Sequence, residues 1–213
     1  MSFAKMFAAA TLLVSAVMIS AQEPAVMKLV RKNYDGSTTI NSQFDLTIYW
    51  SVREKEERKS GELFLSPGEK FRVNLGKETF VSDGKTYWQY SEKNNQLVIR
   101  NLGDIDLSMQ PSHLLSTFLS GRTFTQKSSK DGVVQLEWIG NPEESDDYRS
   151  VSVSIEEKSG IVKTLKLIDK NENINTYTFK KTVLGKSLPK DAFRFTPPKG
   201  TEVHDLRETD APN

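Results

Sequence analysis

The sequence predicts a mainly β protein: one curved antiparallel sheet of about eleven strands, with a helix before it and a shorter helix in its middle. Three observations carry this. Apolar and polar residues alternate along most of the chain, which is the two-residue period of strands with one apolar face. Turn dipeptides, Asp83-Gly84, Asp131-Gly132 and Ser159-Gly160, fall between apolar runs, as tight hairpins require. Beyond the N-terminus, only two stretches leave this period, and both carry helix punctuation.

The chain opens with Lys5, an apolar run from Phe7 to Ile19 and the small pair Ser20-Ala21 before Gln22-Glu23. That layout is a cleaved secretory signal, too short for a membrane span. Removing residues 1–21 from 213 leaves 192, enough for one sizeable domain, read here as residues 22–204. Lys5 is the only charge lost, so the exported chain carries 28 basic and 28 acidic residues. Such neutrality argues against a nucleic-acid binder. With no cysteine there is no disulfide, no thiol chemistry and no lipid-anchoring cysteine after the cleavage point, so the product is expected to be an exported soluble protein.

Pro24 to Tyr34 places Val26, Leu29, Val30 and Tyr34 on one helical face, with Gly36 just beyond. Phe44, Leu46, Ile48, Trp50 and Val52 then alternate with polar or half-polar residues over a long strand. Further strands are expected at Gly61–Leu65, Lys70–Leu75, Glu78–Ser82, Thr86–Glu92, Gln96–Asn101, Thr123–Ser128, Val133–Ile139, Arg149–Glu156, Ile161–Ile168 and Asn175–Val183. Pro111 to Ser120 sets Leu114, Leu115, Phe118 and Leu119 on one face before Gly121. A helix of about three turns is marginal alone, so this one is expected to lie on something apolar, covering the open side of the sheet. Residues 205–213 read as a frayed polar tail.

Catalytic signatures are missing. There is no G-x-S-x-G elbow, H-E-x-x-H, Walker loop or G-x-G-x-x-G, and no metal or cofactor is expected. His113 and His204 sit in unrelated contexts and read as surface or capping residues. Glu143, Glu144, Asp146 and Asp147 lack the ordered spacing of a calcium loop, and Asn171, Glu172, Asn173 and Asn175 read as a hairpin turn.

The apolar excess is more informative. Trp50, Phe64, Phe71, Trp88, Tyr90, Trp138, Tyr177 and Phe179 all fall on expected strands. Core packing would use them in the same way, but a curved sheet with so few helices has little to fill its concave face, and such sheets hold apolar ligands. The expected lining of that face is Leu46, Ile48, Trp50, Phe71, Trp88, Tyr90, Trp138 and Phe179, with Leu114, Leu115, Phe118 and Leu119 as a lid.

Several blocks resemble the periplasmic lipoprotein carrier family (LolA). Gly61-Glu62-Leu63-Phe64-Leu65-Ser66-Pro67 followed by Lys70-Phe71-Arg72 is similar to its G-x-L-x-x-x-P…K-F-R block. Residues 81–90, Val-Ser-Asp-Gly-Lys-Thr-Tyr-Trp-Gln-Tyr, follow its V-S-D-G-K-x-x-W-x-Y hairpin. Pro111-Ser112-His113-Leu114-Leu115 stands in the place of the lid helix, and residues 193–203 are similar to the F-x-F-x-P-P-x-G-x-x-V ending. The resemblance implies an incomplete antiparallel barrel with a helical lid, and a monomeric carrier of lipidated lipoproteins between inner and outer membranes. It also implies loading by an inner-membrane ATP-driven exporter, release to an outer-membrane acceptor and no covalent step. A carrier of another amphiphile, a glycolipid or fatty acid, is the alternative on the same fold. One position departs from the pattern: family members place an arginine before the proline of the first block, where it holds the lid shut, and here it is Ser66. Serine cannot make a multidentate clamp, which leaves Arg72 as the candidate latch.

Overall fold

The computed structural model describes residues 23–105, 122–141 and 148–207. One helix, α1 (Ala25–Asp35), precedes a twelve-stranded sheet. Its strands are β1 (Ile40–Trp50), β2 (Lys55–Ser66), β3 (Lys70–Leu75), β4 (Glu78–Asp83), β5 (Thr86–Ser91), β6 (Gln96–Asn101), β7 (Thr125–Lys130), β8 (Val133–Ile139), β9 (Tyr148–Glu156), β10 (Val162–Asp169), β11 (Ile174–Leu184) and β12 (Glu202–Asp205). Their spatial order is β12-β6-β5-β4-β3-β2-β1-β11-β10-β9-β8-β7. Two meanders therefore meet where β1, the first strand, pairs with β11. The sheet is open, ending at β12 and β7, and does not close into a barrel.

Turn chemistry sets the hairpins. The Asp83 carboxylate accepts the N–H groups of Lys85 (2.9 Å) and Thr86 (2.8 Å), and Gly84 takes φ +95°. Asp131 and Gly132 both adopt positive φ, the requirement of a two-residue hairpin turn. The Asp169 carboxylate gathers the N–H groups of Asn171 and Asn173, so residues 171–173 form a turn; Asn175, read from the sequence both with that turn and as the start of the next strand, lies within β11.

α1 docks through Val26, Met27, Val30 and Tyr34, its buried stripe. The β9–β10 turn receives it: Asn33 Nδ2 donates to Ser159 O (2.5 Å), and Val162 N donates to the Tyr34 hydroxyl (3.2 Å). Gly160 fits this contact on two counts. Its φ is +66°, and a Cβ there would stand 2.7 Å from Leu29 Cγ. Burial pushes the Tyr34 phenol up from its ordinary pKa, against the lowering effect of the Val162 N–H.

The sheet face that meets α1 is the inner face. A single cluster joins α1 to inner residues of β1 (Ile40, Phe44, Leu46), β3 (Phe71, Val73), β8 (Val134, Leu136), β9 and β10. Register explains the membership, because directly opposed residues share a face. Ile40 opposes Leu65 and Leu184, and Leu65 opposes Phe71.

Three elements differ by more than two residues from the sequence expectation. β1 starts at Ile40 rather than Phe44 and ends at Trp50, leaving Val52 in the β1–β2 turn. β2 starts at Lys55 rather than Gly61, because residues 55–60 pair with β1 without any apolar signal of their own. β12 was not expected, and it pairs with β6 in parallel, the one exception to the antiparallel order. A parallel neighbour needs a long crossover, and residues 185–201 supply it across the outer face. Arg72 Nη1 holds this crossover, donating to Ala192 O (3.4 Å) and Arg194 O (3.2 Å), while Tyr90 and Phe195 rings lie 5.2 Å apart. Asp205, read from the sequence as the start of the tail, is the last residue of β12, and Leu206 N donates to Ile99 O (2.8 Å).

Candidate functional site

The inner face is ordered in rows that cross the sheet. One row runs Leu46, Tyr177, Leu165, Val153, Leu136 over β1, β11, β10, β9 and β8. The next runs Ile48, Asn175, Leu167, Val151, Trp138. Exposure rises away from α1: Leu46 is buried, Ile48 and Trp138 are half-buried, Trp50 is 40% exposed and Val52 is 89% exposed. The face is therefore filled at the α1 end and accessible at the end bearing the β1–β2 turn. At that open end the Arg122 guanidinium stacks 4.4 Å from the Trp138 ring centroid and 6.0 Å from that of Tyr148.

Aromatic packing gives the face its depth. Phe44 meets Tyr177 (5.9 Å) and Phe179 (6.2 Å), and Phe71 meets Tyr87 (6.2 Å). Burial pushes the Tyr87 and Tyr177 phenols up to about 12, so both stay neutral donors at ordinary pH. Two polar residues deep in the face satisfy each other: Ser42 and Thr182 hydroxyls lie 2.8 Å apart.

Of the lining expected from sequence, Leu46, Ile48, Phe71, Trp138 and Phe179 stand on the inner face, and Trp50 stands at its open end. Trp88 and Tyr90 stand on the outer face. Tyr87 opposes Ser82, which opposes Phe71, so Tyr87 points inward and its neighbour Trp88, opposing Val81 and Ile99, points outward. The aromatic that β5 gives to the inner face is Tyr87, which the sequence reading missed. In the run Tyr87-Trp88-Gln89-Tyr90, aromatics occupy both alternation phases and only the register separates them.

The latch expectation also changes. Arg72 belongs to the outer face and holds the crossover, so it cannot reach a cover on the inner face. Ser66 donates to Thr38 O (3.3 Å). The lid candidates Leu114, Leu115, Phe118 and Leu119, with His113 and the acidic residues 143–147, lie outside the described residues. His204 is on β12 beside Glu202 at 3.1 Å. Among the described residues no cluster of His, Asp and Glu could hold a metal ion, and no helix is long and apolar enough to cross a membrane.

The sheet is thus mostly antiparallel, with a largely apolar inner face that α1 covers at one end and that is more exposed at the other. The family model described as outer membrane lipoprotein carrier protein LolA matches residues 35–196, and the chain belongs to that family of transport proteins, which are not enzymes. The outer-membrane lipoprotein carrier protein of Chromobacterium violaceum is 28% identical over 188 residues, covering 86% of this chain and 88% of that one. The protein of the same name from Cupriavidus pinatubonensis is 32% identical over 151 residues, covering 68% and 69%. Among solved structures, an uncharacterized conserved protein from Thermus thermophilus aligns with TM-score 0.56 and 14% identity over 84% of this chain and 96% of that chain, a likeness of fold alone. The function is thus that of an outer-membrane lipoprotein carrier, and proteins of this family work in the periplasm.

Proposed function

We propose that the inner face holds the acyl chains of lipidated lipoproteins while the protein, as a monomer freed of residues 1–21, crosses the periplasm. The single observation that supports this is the largely apolar face from Phe44 and Phe179 to Ile48 and Trp138, accessible at one end, in a chain of this family. Burial of a CH₂ group gains about 0.8 kcal/mol, so a sixteen-carbon chain recovers on the order of 10 kcal/mol before entropic costs. That is enough to hold a lipid out of water, and uptake from a bilayer requires a push from a partner. An ATP-driven exporter in the inner membrane supplies it, an outer-membrane acceptor takes the cargo, and no covalent bond changes.

The cover belongs to this proposal as well. Residues 111–120 carry Leu114, Leu115, Phe118 and Leu119 at helical spacing, which suits a lid over the accessible end. With Ser66 in the place of the family arginine and Arg72 on the outer face, neither position supplies a guanidinium clamp for such a lid.

Native mass spectrometry of the mature protein, mixed with a membrane extract containing a tagged lipoprotein, tests the reading. A one-to-one complex that disappears when the lipoprotein's acyl chains are removed is expected. Uptake of free glycolipid or fatty acid alone would transfer the reading to another amphiphile, and no lipid-dependent complex would overturn it.

A further inference from the structure

We propose that Asn175 and Tyr177 form a polar anchor on the inner face that binds the ester or amide carbonyl joining an acyl chain to the cargo's lipidated residue. This rests on the carrier reading above and adds to it the depth and chemistry of cargo recognition.

The two residues are neighbours on one side of β11. Asn175 lies between Ile48 of β1 and Leu167 of β10, and Tyr177 lies between Leu46 and Leu165. All four flanking side chains are apolar, and Leu46, Leu165 and Leu167 are buried. Within this setting neither the Asn175 amide nor the Tyr177 hydroxyl has a hydrogen-bond partner among the described residues. Neither group is sealed from solvent, so both donors are open to a ligand that enters over the half-buried part of the face. The contrast with the deeper Ser42 and Thr182, which bond to each other, sharpens the point.

Chemistry selects the occupant. An amide NH₂ and a neutral phenol are both donors, and together they suit a carbonyl oxygen, a pure acceptor. Burial keeps the Tyr177 phenol protonated well beyond physiological pH. Position agrees: Asn175 is level with Ile48, one row in from the exposed Trp50, while Phe44 and Phe179 line the face further toward α1. An acylated cysteine carries its carbonyls at the boundary between apolar tails and polar peptide. Acyl chains lying over the half-buried side chains Ile48, Trp138 and Phe179, with the peptide leaving past Trp50, bring that boundary to these two donors.

The test compares synthetic lipidated cysteinyl peptides of equal chain length, one a diacyl ester, one its dialkyl ether and one N-acylated, binding to mature wild type and to Asn175→Leu and Tyr177→Phe. Both changes place apolar groups on an apolar face, and thermal unfolding verifies the fold. The expected result is that wild type prefers ester to ether. Each substitution then weakens ester binding about tenfold and leaves ether binding unchanged. An N-acylated peptide sensitive to the substitutions, with an insensitive ester, assigns the anchor to the amide carbonyl. Wild type that binds ester and ether alike, with both variants unaffected, overturns the anchor and leaves the carrier reading intact. Wild type that binds none of the peptides overturns the carrier reading itself.

Discussion

The two halves of the sheet are finished differently. Between β3 and β6 both faces contribute buried side chains. The inner face packs Phe71 against Tyr87, and the outer face buries Val81 and Leu97 near the crossover that brings Ala192 and Phe195. Through β1 and β8 to β11 only the inner face is apolar, and the outer face carries exposed polar groups such as the Asp45–Lys180 ion pair (2.7 Å). A sheet covered on both faces is scaffold, and a sheet with one accessible apolar face can take a ligand. In the proposed carrier reading, the apolar side chains available to cargo come from β1, β8 and β11, and the aromatics of β5 hold the structure together.

Substitutions can break this division, starting with the largest effect. Phe71→Ala empties a fully buried site in the β3 to β6 half and is expected to cost about 3–5 kcal/mol, read from denaturant unfolding. Ile48→Glu places a charge on the accessible face and is expected to abolish cargo binding; a folded variant that binds lipoprotein normally would count heavily against the site. At alkaline pH the buried phenols decide. Tyr87 is raised in the folded protein, so its stability contribution is complete below pH ~10 and is lost as pH climbs toward about 12, an effect of roughly 3 kcal/mol. Tyr87→Phe should flatten that alkaline loss in pH-dependent melting. Arg72→Ala should free the crossover, weaken the fold by about 1–3 kcal/mol and raise protease cleavage within residues 185–201. Cargo release should stay unchanged in that variant, whereas a latch would have altered it. The smallest effect belongs to Asp45, whose carboxyl is lowered by its bonds to Lys180 and Ser60. Its contribution is present above the usual carboxylate range and fades as pH falls through the depressed value, so Asp45→Asn should slightly flatten the acid limb of stability.

Strand positions were legible wherever alternation carried an apolar signal. β3, β6 and β8 coincide with their expected ranges because each pairs a clean pattern with a turn signal. Residues 55–60 were not legible: Lys-Glu-Glu-Arg-Lys-Ser gives no apolar phase, and only pairing with β1 makes them a strand. Charges suit them, because β3 ends at Leu75 and β2 is an edge beyond that point. β12 was hidden for a related reason, since four exposed residues joined to β6 by backbone bonds leave no pattern. On the inner face, Leu46, Ile48 and Phe179 were readable from a single phase. Trp88 and Tyr90 were misplaced because β5 is aromatic in both phases. Asn175 was read both as the end of a turn and as the start of the next strand, because Asn171 and Asn173 precede it at the same spacing.

Tryptophan positions on opposite faces allow a direct test of the central claim. Variants that keep only Trp138 or only Trp88 would be mixed with a lipidated peptide whose acyl chains are brominated, and tryptophan quenching would be measured. Strong quenching of Trp138 with Trp88 unaffected is the predicted result. Quenching of Trp88 with Trp138 untouched would contradict the assignment of the acyl chains to the inner face.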